Sequence, residues 1–329
     1  MASEGDNSLR AIPYGDADAA RWDGLAARAP MATFLHTRRY LSYHGERFRD
    51  ASLLFEEGGE LCGLLPAAVD PADERRVVSH PGITYGGLLH DGALRGGRML
   101  SAFRAARDFY AARGYATLRY KAVPHVYRRL PCDDDLYALF RCGAARYRCD
   151  LSAAIDLGQP RAASQRRRRG LKKALKCGVT VASGAGYADD LWRVLEENLA
   201  RRHGVRPVHT AVEIGYLHSL FPSNIEFVVA LAGAEVVAGI VLYKTSPVSH
   251  AQYIASSPRG QEASALDAVF DRAITEAAEE GARYFDFGSS CEQEGRHLNA
   301  GLYNFKTEFG AGGVAHDFYE VDLAGGGLT

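Results

Sequence analysis

Short blocks of apolar residues, punctuated by glycine and polar turns, run along this chain in one order, and the order occurs twice. In the first half, residues 53–55 and 61–69 flank a Glu-Glu-Gly-Gly-Glu turn and predict a β-hairpin. A strand near residues 83–89 follows, then a helix over 97–113, Gly114 and a strand over 116–121. In the second half, residues 227–231 and 236–243 flank a turn at Gly233, 249–256 predict a strand and 263–280 a helix, and Gly281 precedes a strand over 284–288. Gly63 matches Gly239 in this scheme, and Gly114 matches Gly281. The period is near half the chain, far beyond the roughly 20–50 residues of solenoid repeats, so the pattern predicts two copies of one α/β domain.

The intervening segments complete the outline. Residues 16–29 and 37–48 predict two helices, the first stopped by Pro30, and 136–143 with 147–151 lead toward Gly158-Gln159-Pro160. That tripeptide is the expected boundary between an acceptor-side domain, 1–157, and a donor-side domain, 158–329. Beyond it come a basic helix ending near Gly178, a strand over 179–182, and helices over 187–202 and 211–220, with Pro222 closing the last.

Composition narrows the class. A chain of 329 residues with 47% hydrophobic content supports two cores of ordinary size. Its net charge of −1 gives no global reason to expect DNA as a partner. With no run of about 18 apolar residues and no basic-then-apolar start, the expectation is a soluble, cytoplasmic protein with no integral membrane segment. The 6 cysteines form no CxxC pair and no zinc spacing, so no metal is expected. GxxxxGK[ST], GxGxxG and GxSxG are all missing, which removes the usual signatures of nucleotide hydrolysis, dinucleotide redox chemistry and α/β-hydrolase catalysis.

Chemistry concentrates near the C-terminus. An apolar strand carrying Asp286 opens into Gly288, Ser289 and Ser290, and a short helix follows with Tyr303 and Lys306 three residues apart on one face. Leu302, Phe305 and Phe309 are expected on the opposite, buried face. Alternation on the neighbouring strand sends His250 and Gln252 to one side and Tyr253 to the other. Asp286 has two readings, orienting Lys306 or accepting an amine proton, and fixing the strand end through backbone hydrogen bonds. His250 likewise reads as a base or as a structural imidazole. The basic run at 166–176, containing Arg167 and Arg168, leaves three readings open: RNA contact, a dock for a diphosphate, or a solvated surface.

The order of elements, with FDFGSS and GLYNFKTEFGA in the second copy, resembles the FemAB-like branch of the GNAT acyltransferase superfamily over nearly the whole chain. Segments such as SHPGITYGGL, LRYKAVPHVY and SHAQYIASS are similar to the BioF2-like group associated with polysaccharide biosynthesis. The resemblance implies an α/β fold of tandem duplicated GNAT-like domains with mixed central sheets. It implies amide formation by transfer of an acyl group, acetyl in the simplest case, from acyl-CoA to an amine of an amino sugar or cell-envelope glycan precursor. The alternative it carries is a FemAB-like transfer from aminoacyl-tRNA to a peptidoglycan-type or peptide acceptor. A third possibility is a member of the fold that binds a ligand without catalysis.

On this resemblance Tyr303 matches the tyrosine that protonates the leaving group, and Lys306 a lysine facing the negatively charged end of the donor. Arg259 and Gly260, in the loop Ser257-Pro258-Arg259-Gly260-Gln261-Glu262-Ala263, stand where such enzymes bind pyrophosphate, with Gln252 and Ser289 nearby. The loop departs from the usual [QR]xxGx[GA] spacing, and Glu262 opposes an anion. Tyr85 and Lys121 of the first copy, with Arg167 and Arg168, are the expected acceptor-side contacts, in a cleft between the domains.

Overall fold

The structure, a computed structural model, describes residues 8–160 and 162–324, so the two outermost ends of the expected domains lie outside it. The chain divides into two compact units. Unit 1 comprises 1–150, 294–296 and 315–329, and unit 2 comprises 151–293 and 297–314, which moves the boundary from 157 to 150 and returns the C-terminal strand to the first unit.

Unit 1 contains β1 (Arg10–Pro13), α1 (Ala19–Arg28), α2 (Arg38–Leu41), β2 (Leu53–Glu57), β3 (Glu60–Leu65), β4 (Ala68–Asp70), β5 (Asp73–Val78), α3 (Gly97–Ala111), β6 (Thr117–Lys121), α4 (Asp134–Arg141) and the start of β7 (Ala145–Asp156). Unit 2 follows with the rest of β7, α5 (Gln165–Lys176), β8 (Val179–Ser183), α6 (Ala188–His203), α7 (Ala211–Leu220), β9 (Ile225–Ala232), β10 (Glu235–Lys244) and β11 (Val248–Ser256). It continues through α8 (Pro258–Glu262), α9 (Ala265–Glu279), β12 (Tyr284–Ser289), the short strands β13 (Cys291–Glu292) and β14 (His297–Leu298), α10 (Ala300–Thr307) and the start of β15 (Gly312–Asp322).

Each unit centres on a mixed sheet. In unit 2, β8, β9, β10 and β11 pair antiparallel in turn, β11 runs parallel to β12, and β12 pairs antiparallel with the end of β7. The parallel step requires a crossover, which α9 supplies. Its buried stripe, Ala265, Ala268, Val269, Phe270, Ala273, Ile274 and Ala277, follows helical spacing and packs with Phe285, Phe287 and Phe309. Unit 1 repeats the device. β4 pairs antiparallel with β5, β5 runs parallel to β6 across α3, and β15 closes on β6. Met99, Ala102, Phe103, Ala106 and Tyr110 are the buried stripe of α3.

The duplication shows in side chains too. Trp22 on α1 donates its indole N–H to the carbonyl of His36 at 2.7 Å, and Trp192 on α6 donates to that of His209 at 3.1 Å. The only two tryptophans of the chain thus do the same work in the two units. Gly114 and Gly281 both follow their crossover helix with φ of +82° and +85°.

The first copy departs from its expected strands. Residues 61–69 break at Pro66 into β3, which joins β1 and β2 in a separate three-stranded sheet, and β4. The strand preceding the crossover is β5, whose sequence DERRVV hides it behind charges, and not 83–89. Residues 83–89 form an irregular buried segment held by Gly86 N–H to Lys121 O at 3.0 Å and by an isolated bridge from Leu89 to Leu64.

Gly260, buried in α8, owes its identity to space. A Cβ there would overlap the carbonyl oxygen of Val237 and lie 2.7 Å from Ser256 Oγ. Gly260→Val is expected to destabilise unit 2 by about 1–3 kcal/mol, the range for overpacking, read as a lower urea midpoint at unchanged slope.

Candidate active site

Parallel pairing between β11 and β12 covers Val248 with Tyr284, Ser249 with Phe285 and His250 with Asp286, then stops. At the last pair the two side chains meet. Asp286 is fully buried, and its carboxylate is a hub: Oδ1 accepts from Ser152 Oγ at 2.5 Å and from Gly288 N–H at 2.9 Å, while Oδ2 lies 2.9 Å from His250 Nδ1. An ionised carboxylate only accepts, so it holds the imidazole proton on Nδ1 and directs proton transfer to Nε2. Asp286 thus fixes the strand end through Gly288 N–H, and the side chain it orients is His250 rather than Lys306.

Gly288 turns the chain at this point with φ of +76°, and a Cβ on it would stand 3.3 Å from His250 Cε1. Only glycine takes this backbone conformation freely beside an imidazole. The turn aims the carbonyls of Gly288 and Ser289 at Lys306 on α10, which donates to them at 2.8 and 2.6 Å. Lys306 is 2% exposed, and burial lowers its pKa to about 8 against the opposing pull of Asp286. The expected outward ammonium is thus corrected: the amine points inward and spends two of its three N–H bonds on main-chain carbonyls. Leu302, expected inside, is 38% exposed. Asn299 caps α10 by accepting from Leu302 N–H at 3.0 Å.

Tyr303 is half-buried on α10, with its hydroxyl over Gly313, where a Cβ would approach it to 3.0 Å. Ser289 accepts from Cys291 N–H at 3.0 Å through its hydroxyl. Strict alternation fails on β11. Val241 opposes Tyr253 and Leu242 opposes Ala251, so Gln252 is the extra residue of a β-bulge. Its Oε1 is buried with no hydrogen-bond partner among the described residues. Tyr253 packs edge-on to Trp192 and its hydroxyl bonds His209 Nδ1, tying the end of the α6–α7 connection to β11.

The remaining expected residues have partners of their own. Arg259 pairs with Glu235, and the Gly260 N–H is taken by Ser257 Oγ at 3.1 Å. The ion pair is more than half exposed on both sides, so opening it costs little and Arg259 stays available to a phosphate. Arg167 faces inward, 3.2 Å from Asp267 and 3.0 Å from Glu308, with its guanidinium over Phe305; Arg168 is exposed. In unit 1, Lys121 is buried and donates to the carbonyls of Ile83 and Pro81, and burial lowers its pKa to about 7. Tyr85 is buried and tilted against Tyr127 at 4.5 Å. Both residues hold the 79–87 loop in place.

Sequence reasoning missed Ser152, His209 and Trp192. Ser152 lies 134 residues from Asp286, with no local pattern to mark it. The matched Trp–carbonyl pairs were findable from the repeat, since each tryptophan falls in a helix that follows a short strand, α1 after β1 and α6 after β8.

Residues 161–306 match the acetyltransferase (GNAT) domain family. Among solved structures, FemX superposes with a TM-score of 0.66 at 12% identity, covering 95% of this chain and 97% of its own. A tandem GNAT protein from the clavulanic acid biosynthesis pathway gives 0.54 at 13%, covering 97% and 100%. L-PGS from Bacillus licheniformis gives 0.54 at 15%, covering 80% and 82%. No curated protein matches the sequence. Residues 161–306 are thus similar to the GNAT acetyltransferase domain, and the mixed sheets with their parallel crossover step, repeated in both units, give the chain the fold of FemX and of the tandem GNAT protein.

Proposed function

We propose that this protein forms an amide by moving an acyl group, acetyl in the simplest case, from acyl-CoA to the amine of an amino sugar or cell-envelope glycan precursor on the cytoplasmic side of the envelope. The observation that carries the reading is the Asp286 hub at the point where β11 and β12 stop pairing. His250, oriented through Nδ1, takes a proton from the attacking amine on Nε2. The C–N bond forms as the bond from the acyl carbon to the leaving group breaks, and the Tyr303 hydroxyl gives its proton to the leaving group. Lys306 fixes the Gly288–Ser289 turn beside the reacting centre and adds positive charge where the oxyanion develops. Arg259 is the residue that would hold the phosphates of coenzyme A, which supplies the activated thioester.

A second reading, an aminoacyl-tRNA donor with a peptide-type acceptor, is favoured by one observation: Glu262 lies in the same short helix as Arg259 and opposes an anion there. Tyr303→Phe separates the two. With acetyl-CoA and glucosamine-class amines, kcat is expected to fall about 100-fold, because a thiolate would leave unprotonated. With charged tRNA the loss should stay within a few fold, since the leaving ribose hydroxyl has a neighbouring hydroxyl to share its proton. Failure of either donor to support turnover by the wild-type protein rejects the corresponding reading.

A further inference from the structure

The helix α5 reads QRRRRGLKKALK, with no acidic residue, in a chain whose net charge is only −1. One side of it is fixed. Arg167 reaches Asp267 and Glu308, Gly170 brings the backbone against the Asp267 carboxylate where any Cβ would clash, and Ala174 is fully buried. Ser164 caps the N-terminus by accepting from Arg167 N–H at 3.2 Å. The other side is cationic. At 3.6 residues per turn, Arg168, Lys172, Lys176, Arg169, Lys173 and Arg166 occupy one continuous arc about 160° wide. All six are exposed, and Leu175, 62% exposed, stands at the edge of the arc next to Arg168. Arg166 lies 3.5 Å from Glu308, whereas among the described residues none of Arg168, Lys172, Lys173 and Lys176 meets a carboxylate.

We propose that this face of α5 docks the protein on an anionic lipid bilayer. Charge complementarity is the basis. A rigidly seated helix that concentrates six cations and no anion on its outer side retains a local positive field that the rest of a near-neutral chain does not cancel, and clusters of four to eight such residues bind acidic lipid headgroups. Two features choose a bilayer over other polyanions. The exposed face carries no aromatic side chain on which a base could stack, the usual means of holding single-stranded RNA. It does carry an exposed leucine at its margin, the element that enters the headgroup region when an amphipathic helix lies on a membrane. A pocket for a small diphosphate would bury its cations, and these six are all outside. Among the described residues no helix is long and apolar enough to cross a membrane, so attachment through this face would be peripheral and salt-sensitive. The inference is independent of the acyl donor.

The test is co-sedimentation of the full chain with vesicles of phosphatidylcholine alone and of phosphatidylcholine with about one-third phosphatidylglycerol, at two salt concentrations. Binding to the second vesicle only, weakened by salt, is expected. Lys172→Glu/Lys173→Glu should lower that affinity at least roughly tenfold, and Leu175→Ser several-fold with the salt dependence kept. Arg168→Glu/Lys176→Glu, on another part of the arc, should repeat the loss, and thermal melting checks that these surface variants stay folded. Equal partition to both vesicles, or anionic binding that survives both charge reversals, overturns the proposal. So does single-stranded RNA that strips the protein from vesicles at matched phosphate concentration and is itself lost with the same variants, which would assign the face to RNA.

Discussion

Asp286→Asn is expected to lower kcat by about three orders of magnitude while leaving KM within a few fold. The magnitude follows from tautomer control, since a carboxylate that holds an imidazole Nδ1–H is commonly worth 10³–10⁴ in turnover. An asparagine can still accept from Gly288 N–H, but its amide group faces His250 or Ser152 with a donor where the native residue has only acceptors. If it meets His250, the imidazole proton moves to Nε2, the nitrogen needed as base. Nitrogen chemical shifts of the His250 ring would report that exchange directly, a readout that loss of packing alone does not produce. His250→Gln should match the drop, and the double variant should be little worse than either single one, as for groups acting as a unit. Turnover within tenfold of wild type for Asp286→Asn would show that His250 is not the base. Asp286→Ala differs in kind: it strands Ser152 Oγ and Gly288 N–H in a buried site and should also reduce stability by about 1–3 kcal/mol.

The second copy was more legible than the first, for a physical reason. Strands β9 to β12 are apolar runs bounded by turns, and each was placed within a few residues. In unit 1, β5 is built from DERRVV, where four of six residues are charged in a strand near the edge of its sheet, while the truly irregular segment 83–89 is mostly apolar and buried. Periodicity reads burial, and burial here does not coincide with hydrogen-bonded strand. The same limit explains Gln252, since a bulge shifts facing by one residue and leaves no mark in the alternation itself. The residue types of the site were legible because Asp, His, Tyr and Lys cluster near one strand end. Their partnerships were not, because Asp286 is completed by Ser152 and Lys306 by main-chain carbonyls, contacts set by topology.

Lys306→Met is expected to abolish most turnover and to weaken the fold as well, a double effect that its sequence position alone did not suggest. The amine is buried and bridges two carbonyls, so a thioether leaves Gly288 O and Ser289 O without a donor and releases the turn that carries the Asp286 hub. The two effects separate by pH. In the folded protein burial holds the Lys306 pKa at about 8, whereas the unfolded chain titrates near the ordinary value of 10.5. Between these values the unfolded state binds more protons, so this lysine makes wild-type stability rise with pH through that window, by up to roughly 1.4 kcal/mol per pH unit, while below pH 8 the cost of the buried charge is fully present. Activity should move the other way, with kcat falling above about pH 8 as the positive charge beside the oxyanion is lost. Urea denaturation of wild type and variant at pH 7.5 and 10 would show a Lys306-dependent gain in wild type that Lys306→Met lacks. Lys306→Arg keeps the charge at every accessible pH, so any turnover it retains should run flat past pH 8. An alkaline limb that persists unchanged in Lys306→Arg would place the titrating group elsewhere and leave Lys306 as a pin for the turn.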